Sequence, residues 1–274
     1  MPTVDLNSDL GESFGAWSMG DDASMLQLVT SANLACGFHA GDPAVMLAAC
    51  RTAVLHGVAI GAHPSYRDLA GFGRREMEVQ ADHLHADVLY QVSALAGMAA
   101  HVGGALSHVK PHGALYNRVA VDLEVAEVVA DVAHDLNLPV LGLPGSAIES
   151  ACRRAGVRFV REAFADRGYL ADGTLAPRGL DGAVLTDPHE VAERAVRIAT
   201  EGVVRALDGT EVAARVDSLC VHGDTAGAVD LADDADTASD DARAAEFTTR
   251  AARLDSSAHD FTASARLERL GSLD

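Results

Sequence analysis

The sequence predicts an α/β protein built as a single TIM-like (β/α) barrel of seven or eight parallel strands. Two observations carry that expectation. Short β-rich runs alternate with longer Ala-rich helical stretches along the chain, which implies parallel strands with crossover helices. Nearly every strand run also ends in chemically active polar residues. A doubly wound sheet concentrates its site at one switch point, whereas a barrel gathers residues from many strand ends onto one rim.

The strand runs are Thr3–Leu6, Ser31–Cys36, Val58–Ala62, Leu106–Lys110, Pro139–Leu143, Arg158–Ala163 and Ser218–His222. Helices are expected over Asp42–His56, Glu76–Gly103, Leu123–Asn137, Ser146–Ala155 and Pro188–Leu207. Asp42-Pro43 and Asp187-Pro188 read as N-caps followed by proline at the first helical position. The barrel is expected to occupy residues 1–229. Residues 230–274 read as an acidic insertion and a helical C-terminal tail, because DLADDADTASDDA carries six Asp and no basic residue. Such a run is a solvated loop or a partner-docking tail.

The chain has 274 residues, 40 of them acidic and 21 basic, for a net charge of −19. That balance repels nucleic acid and anionic membranes. Lys110 is the only lysine, and Asp outnumbers Glu by 27 to 13. This is the composition of an acidic, halophilic-type surface kept hydrated in concentrated salt, and equally of an Arg-for-Lys exchange in a high-GC genome. Cys36, Cys50, Cys152 and Cys220 are scattered without C-x-x-C spacing and read as reduced thiols. The first residues lack the basic and apolar regions of a signal peptide, and no apolar run reaches membrane-spanning length. A cytoplasmic chain is expected.

Five constellations carry candidate chemistry. Asp5, Asn7 and Asp9 share one face of the first strand, with Glu12 just beyond, because strand side chains alternate with period two. A row of carboxylates pointing into a barrel is costly without a task, although Asn7 and Asp9 could also cap a turn. In C-G-F-H-A-G-D, two glycines bracket His39 and let the backbone approach a ligand, while Asp42 reads better as a helix cap. His63, in A-H-P-S-Y, ends another strand. Lys110 and His112 lie in K-P-H-G-A-L-Y-N with Tyr116 and Asn117. A lone ammonium in a chain that otherwise uses Arg suits a developing oxyanion or a phosphate. The segment from Arg161 to Arg178 includes Glu162, Asp166, Arg167 and Tyr169. It reads as a solvated loop or as a cover whose Arg167 and Arg178 pair with a substrate carboxylate. His222 and Asp224, in V-H-G-D, follow the last strand. The inventory of carboxylates, His and Lys suits hydrolysis. Neither hydride transfer nor a serine nucleophile is expected.

The motifs D-L-N-S-D-L-G-E-S-F-G, A-N-L-A-C-G-F-H-A-G-D-P, G-A-H-P-S-Y, V-K-P-H-G-A-L-Y-N, E-A-F-A-D-R-G-Y and C-V-H-G-D together resemble the LamB/YcsF family. The resemblance runs from Val4 to about Val229. It implies a barrel related to the carbohydrate deacetylase and glycosidase barrels. It also implies the A component of a 5-oxoprolinase, which works with B and C subunits to convert 5-oxoproline, ATP and water to glutamate, ADP and phosphate. On that reading Asp9, Lys110, His112, His39 and His63 are catalytic. Asn7, Glu12, Tyr116, Asn117, Glu162, Arg167, His222 and Asp224 line the substrate. ATP is a co-substrate of the complex, and a homo-oligomer is compatible with it. No residue is assigned to a metal, which would enter as the Mg2+ that accompanies ATP. Two rivals stand beside it. One is a metal-dependent deacetylase or amidohydrolase using Asp9, His39, His63 and His222 as ligands, and the other is a non-catalytic binding subunit.

Overall fold

The computed structural model describes residues 4–222. Seven parallel strands close into a barrel in the order β1 (Asp5–Leu10), β2 (Ser31–Ala35), β3 (Ala59–His63), β4 (Leu106–Val109), β5 (Val140–Gly142), β6 (Phe159–Phe164) and β9 (Ser218–Cys220), with β9 pairing back onto β1. The count expected as seven or eight is therefore seven. A separate antiparallel hairpin, β7 (Val203–Arg205) and β8 (Glu211–Ala213), lies in the connection between β6 and β9.

Helices α2 (Pro43–His56), α3 (Ala81–His101), α4 (Gly113–Val121), α5 (Leu123–Asp135), α6 (Ala147–Ala155) and α7 (Pro188–Glu201) follow the strands, with a short α1 (Asp22–Met25) after β1. In α3, Leu84, Val88, Val92, Leu95 and Ala99 are buried at spacings of three and four, the apolar stripe that seats a helix on a barrel wall. Asp42 caps α2 by accepting from Ala44 N and Val45 N, and Asp187 caps α7 by accepting from His189 N, as expected. Among the described residues, no helix is long and apolar enough to cross a membrane.

Three local expectations are corrected. The sequence predicts a first strand over Thr3–Leu6, but β1 runs on to Leu10. Its polar row stays extended because neighbouring strands supply partners: Asn7 and Asp9 both accept from Asn33 Nδ2, at 2.8 and 2.9 Å. The last helix, expected to reach Leu207, stops at Glu201. Gly202 adopts φ +66° as its C-cap, and the β-branched pair Val203-Val204 then enters the hairpin. Finally, the expected helices leave residues 113–121 out, but Gly113 in K-P-H-G-A-L-Y-N begins α4.

The barrel interior is unusually polar for a fold normally filled with branched apolar side chains. At the N-terminal end, Asp5 accepts from the hydroxyls of Thr30, Ser31 and Ser218. In the middle layer Asn7 Nδ2 donates to Ser218 Oγ (2.8 Å), and His108 Nε2 lies 2.6 Å from Asn33 Oδ1. Gly61 makes room for that histidine, because a Cβ there would stand 2.1 Å from His108 Nε2.

Candidate active site

The third interior layer opens at the C-terminal mouth of the barrel. Asp9 on β1 sits at its centre, 7% exposed. Its Oδ1 accepts from Lys110 Nζ at 2.9 Å, while its Oδ2 lies 3.3 Å from His63 Nε2 and 4.0 Å from His222 Nε2. Lys110 follows β4 and is 1% exposed. Its Nζ also meets Glu162 Oε1 (2.7 Å) and Asn7 Oδ1 (3.1 Å), approaches Cys220 Sγ (3.2 Å), and lies 5.1 Å from the centre of the Phe164 ring. Tyr116 on α4 donates to the other oxygen of Glu162 at 3.0 Å.

The electrostatics follow from these contacts. Burial pushes the Asp9 carboxyl up, but the charges of His63 and Lys110 outweigh it and hold the group well below the usual carboxylate range. Burial pulls the Lys110 ammonium down, but the Asp9 and Glu162 carboxylates outweigh that and raise it well above its ordinary value. The pair is therefore charged at neutral pH. Burial, with Glu162 alongside, raises the Tyr116 hydroxyl well above its ordinary value, so it stays a donor.

A histidine cluster adjoins this pair. His39 and His112 stack face to face, with ring centroids 3.8 Å apart and planes 5° from parallel. His112 Nδ1 lies 3.0 Å from His63 Nε2, and Glu12 Oε1 lies 3.4 Å from His39 Nε2 and 3.6 Å from His112 Nδ1. Burial and the neighbouring rings drive the pKa of both His39 and His112 well below the ordinary histidine value, so both rings are neutral. His222, which approaches the same Asp9 oxygen as His63, sets its Nδ1 against both oxygens of Asp166, at 3.0 and 2.9 Å. A carboxylate only accepts, so Nδ1 carries a hydrogen, and Nε2 is the nitrogen turned toward Asp9.

Ten of the thirteen expected site residues thus converge on one mouth: Asn7, Asp9, Glu12, His39, His63, Lys110, His112, Tyr116, Glu162 and His222. Asn117 is exposed on α4. Arg167 directs its guanidinium to the carbonyls of Ala183 (3.0 Å) and Ala176 (2.8 Å), bracing its own loop. Asp224 and the segment 230–274 lie outside the described residues. Sequence reasoning passed over Asn33 and His108, which bridge layers of the barrel interior, and left Asp166 in a charged loop although it orients His222. Alternation along S-A-N-L-A would have placed Asn33 inside. A G-x-S-x-G pattern is also present at Gly11–Gly15, but Ser13 Oγ bonds both N and O of Met19 (3.0 and 3.3 Å) and thereby fixes a turn.

Comparison with known proteins sets this mouth in context. The LamB/YcsF family profile matches residues 4–253. The chain belongs to the LamB/YcsF family. A family member from Paracidovorax citrulli, named as the A subunit of 5-oxoprolinase, is 57% identical over 231 residues, 84% of this chain and 92% of its own. One of the same name from Cutibacterium acnes is 53% identical over 238 residues, 85% of this chain and 93% of its own. Among solved structures, a lactam utilization protein from Thermus thermophilus superposes with TM-score 0.83 at 49% identity, covering 88% of this chain and 97% of that one. A putative cellobiose-phosphate cleavage protein from Enterococcus faecalis shares the fold alone, with TM-score 0.53 at 11% identity.

Proposed function

We propose that this LamB/YcsF chain is a lactam hydrolase: the A component of a 5-oxoprolinase that opens 5-oxo-L-proline to L-glutamate at the expense of ATP, together with B and C subunits. The names of its relatives support the substrate and the multi-subunit assembly. The observation that carries the chemistry is Asp9, a carboxylate kept ionised at the barrel mouth with His222 Nε2 4.0 Å away.

That gap suits one water molecule donating an O–H to each acceptor. A carboxylate whose pKa is depressed is a weak base but a good orienting acceptor, whereas an imidazole is a competent one. In this reading Asp9 aims the water at the lactam carbonyl carbon and His222 Nε2 takes its proton. The new C–O bond forms as the C–N bond breaks, and the ring nitrogen recovers the proton from His222. Asp166 holds His222 in the required tautomer. Lys110 fixes Asp9 and Glu162.

ATP has a chemical rationale, because an unstrained five-membered lactam is a stable amide and phosphorylating its carbonyl oxygen makes it a better electrophile. The buried cluster does not fit the triphosphate. It presents Asp9, Glu12, Glu162 and Asp166, and the Lys110 ammonium is already matched by two of these carboxylates. The proposal therefore places the nucleotide with the partner subunits and routes no step of this chain through it. The test is glutamate formation from 5-oxoproline and ATP in high salt, with this chain alone and with its cognate B and C subunits. Activity that needs all components supports the reading. Silence from a folded, assembled complex overturns it.

A further inference from the structure

The histidine cluster holds a feature that the hydrolytic scheme leaves unused. His63 Nδ1 lies 2.6 Å from the carbonyl oxygen of Lys110, and His112 Nε2 lies 2.8 Å from the carbonyl oxygen of Phe72. A carbonyl can only accept, so each of these nitrogens carries a hydrogen. The remaining ring nitrogens are His63 Nε2 and His112 Nδ1. They face each other at 3.0 Å. Two ring nitrogens at that distance share either a proton or a cation between them.

The surroundings define what that is. Glu12 Oε1 stands 3.6 Å from His112 Nδ1. His39, 1% exposed, has no hydrogen-bond partner at either ring nitrogen among the described residues. Glu12, His39, His63 and His112 each bring one ligand atom within 4.8 Å of the others. Two ligands at ~2.0–2.1 Å on one tetrahedral ion stand roughly 3.3 Å apart, a spacing the observed 3.0–3.6 Å brackets. The backbone carbonyls behind His63 and His112 fix tautomer and ring orientation, as the outer shell of a histidine–metal site does.

We propose that Glu12, His63 and His112, with His39 stacked beside them, form a binding site for one divalent cation of zinc-like chemistry. Imidazole nitrogens with a single carboxylate select such an ion over Mg2+ or Ca2+, which require oxygen donors. The site stands independently of the reaction proposed above and differs from a set built on Asp9 and His222, which group with Cys220 instead. Gly73 belongs to its frame. It takes φ +63°, and a Cβ there would lie 2.8 Å from His112 Cδ2 and 2.9 Å from His39 Cβ.

The test is binding rather than turnover. The full chain, stripped with chelator and dialysed, is titrated with Co2+ as a spectroscopic probe and then challenged with Zn2+. The expected result is one Co2+ per chain, with visible d–d absorption of a four- or five-coordinate ion and no sulfur charge-transfer band, displaced by Zn2+. His112→Ala and Glu12→Gln, shown to be folded by circular dichroism, should each weaken binding about 100-fold, while His222→Ala should leave it unchanged. A folded wild-type chain that takes up no Co2+ or Zn2+ overturns the proposal and leaves a shared proton between His63 and His112. So does a sulfur charge-transfer band, which would place the ion at Cys220, or loss of binding in His222→Ala alone.

Discussion

Lys110 shows at the scale of one residue why a chain rich in arginine keeps a single lysine. Its ammonium is a compact charge that fits among Asn7, Asp9, Glu162 and Cys220, where a planar guanidinium would need both more room and a different fork of acceptors. Lys110→Arg should therefore fail as a conservative change, and Lys110→Met should leave two buried carboxylates facing each other. The expected cost of Lys110→Met is about 3–5 kcal/mol, read as a fall in the urea midpoint. Asp9→Asn separates chemistry from folding. It keeps the acceptor for Asn33 and Lys110 but removes the charge that aims the water, so turnover by the assembled enzyme should drop at least about 100-fold. The melting temperature should stay near that of the wild type. Near-normal turnover would remove Asp9 from the scheme. The buried central placement of Lys110 was legible because composition isolates it. That of Asp166 was not, since nothing in A-F-A-D-R distinguishes a carboxylate that meets His222, 56 positions away, from one that meets water.

At the scale of the element, strand ends were legible and strand interiors were not. The motifs after β2, β3, β4 and β9 announce themselves through Gly, Pro and His, so His39, His63, His112 and His222 could be collected before any contact was known. The polar seam inside the barrel runs through Asn33 and His108, and it is specified by register: Asp9 stands opposite Asn33, and Gly61 opposite His108. Register is a property of two strands at once, which a single run of residues does not display. The helix α4 was hidden for a related reason, because His112 supplies no side-chain cap and Gly113 opens the helix at φ +57°. Gly61 gives the seam a direct test. Gly61→Ala would place a methyl group against the His108 ring, so it should destabilise the barrel by about 1–3 kcal/mol in equilibrium urea unfolding. Pairing it with His108→Ala should recover part of that loss, whereas simple additivity would show that the two positions do not press on each other.

At the scale of the whole molecule, alternation sufficed for a closed barrel of seven or eight strands, because each β–α unit writes its own period into the chain, while the acidic run from residue 230 carries no period to read. The net charge of −19 also frames the interior. A barrel that buries Asp9, Glu12, Glu162 and Asp166 inside so acidic a chain depends on cations and donors at fixed places, which makes it sensitive to acid in a way one residue can report. Burial pushes the Asp166 carboxyl up, but the hydrogen bonds from the His222 ring and backbone N–H, with Arg167 nearby, hold it below its ordinary value. A carboxylate lowered by folding binds fewer protons in the native than in the unfolded state, so it stabilises the native state above the unfolded pKa of about 3.9. That contribution disappears as pH falls through the lowered value. Asp166→Asn lacks the titration. Wild type should exceed this variant by roughly 1–3 kcal/mol in urea unfolding at neutral pH, the worth of a charge-assisted hydrogen bond. The gap should hold down to about pH 5 and close below about pH 4. A gap that instead stayed constant through about pH 3 would mean that Asp166 does not carry proton-linked stability on this side of the mouth.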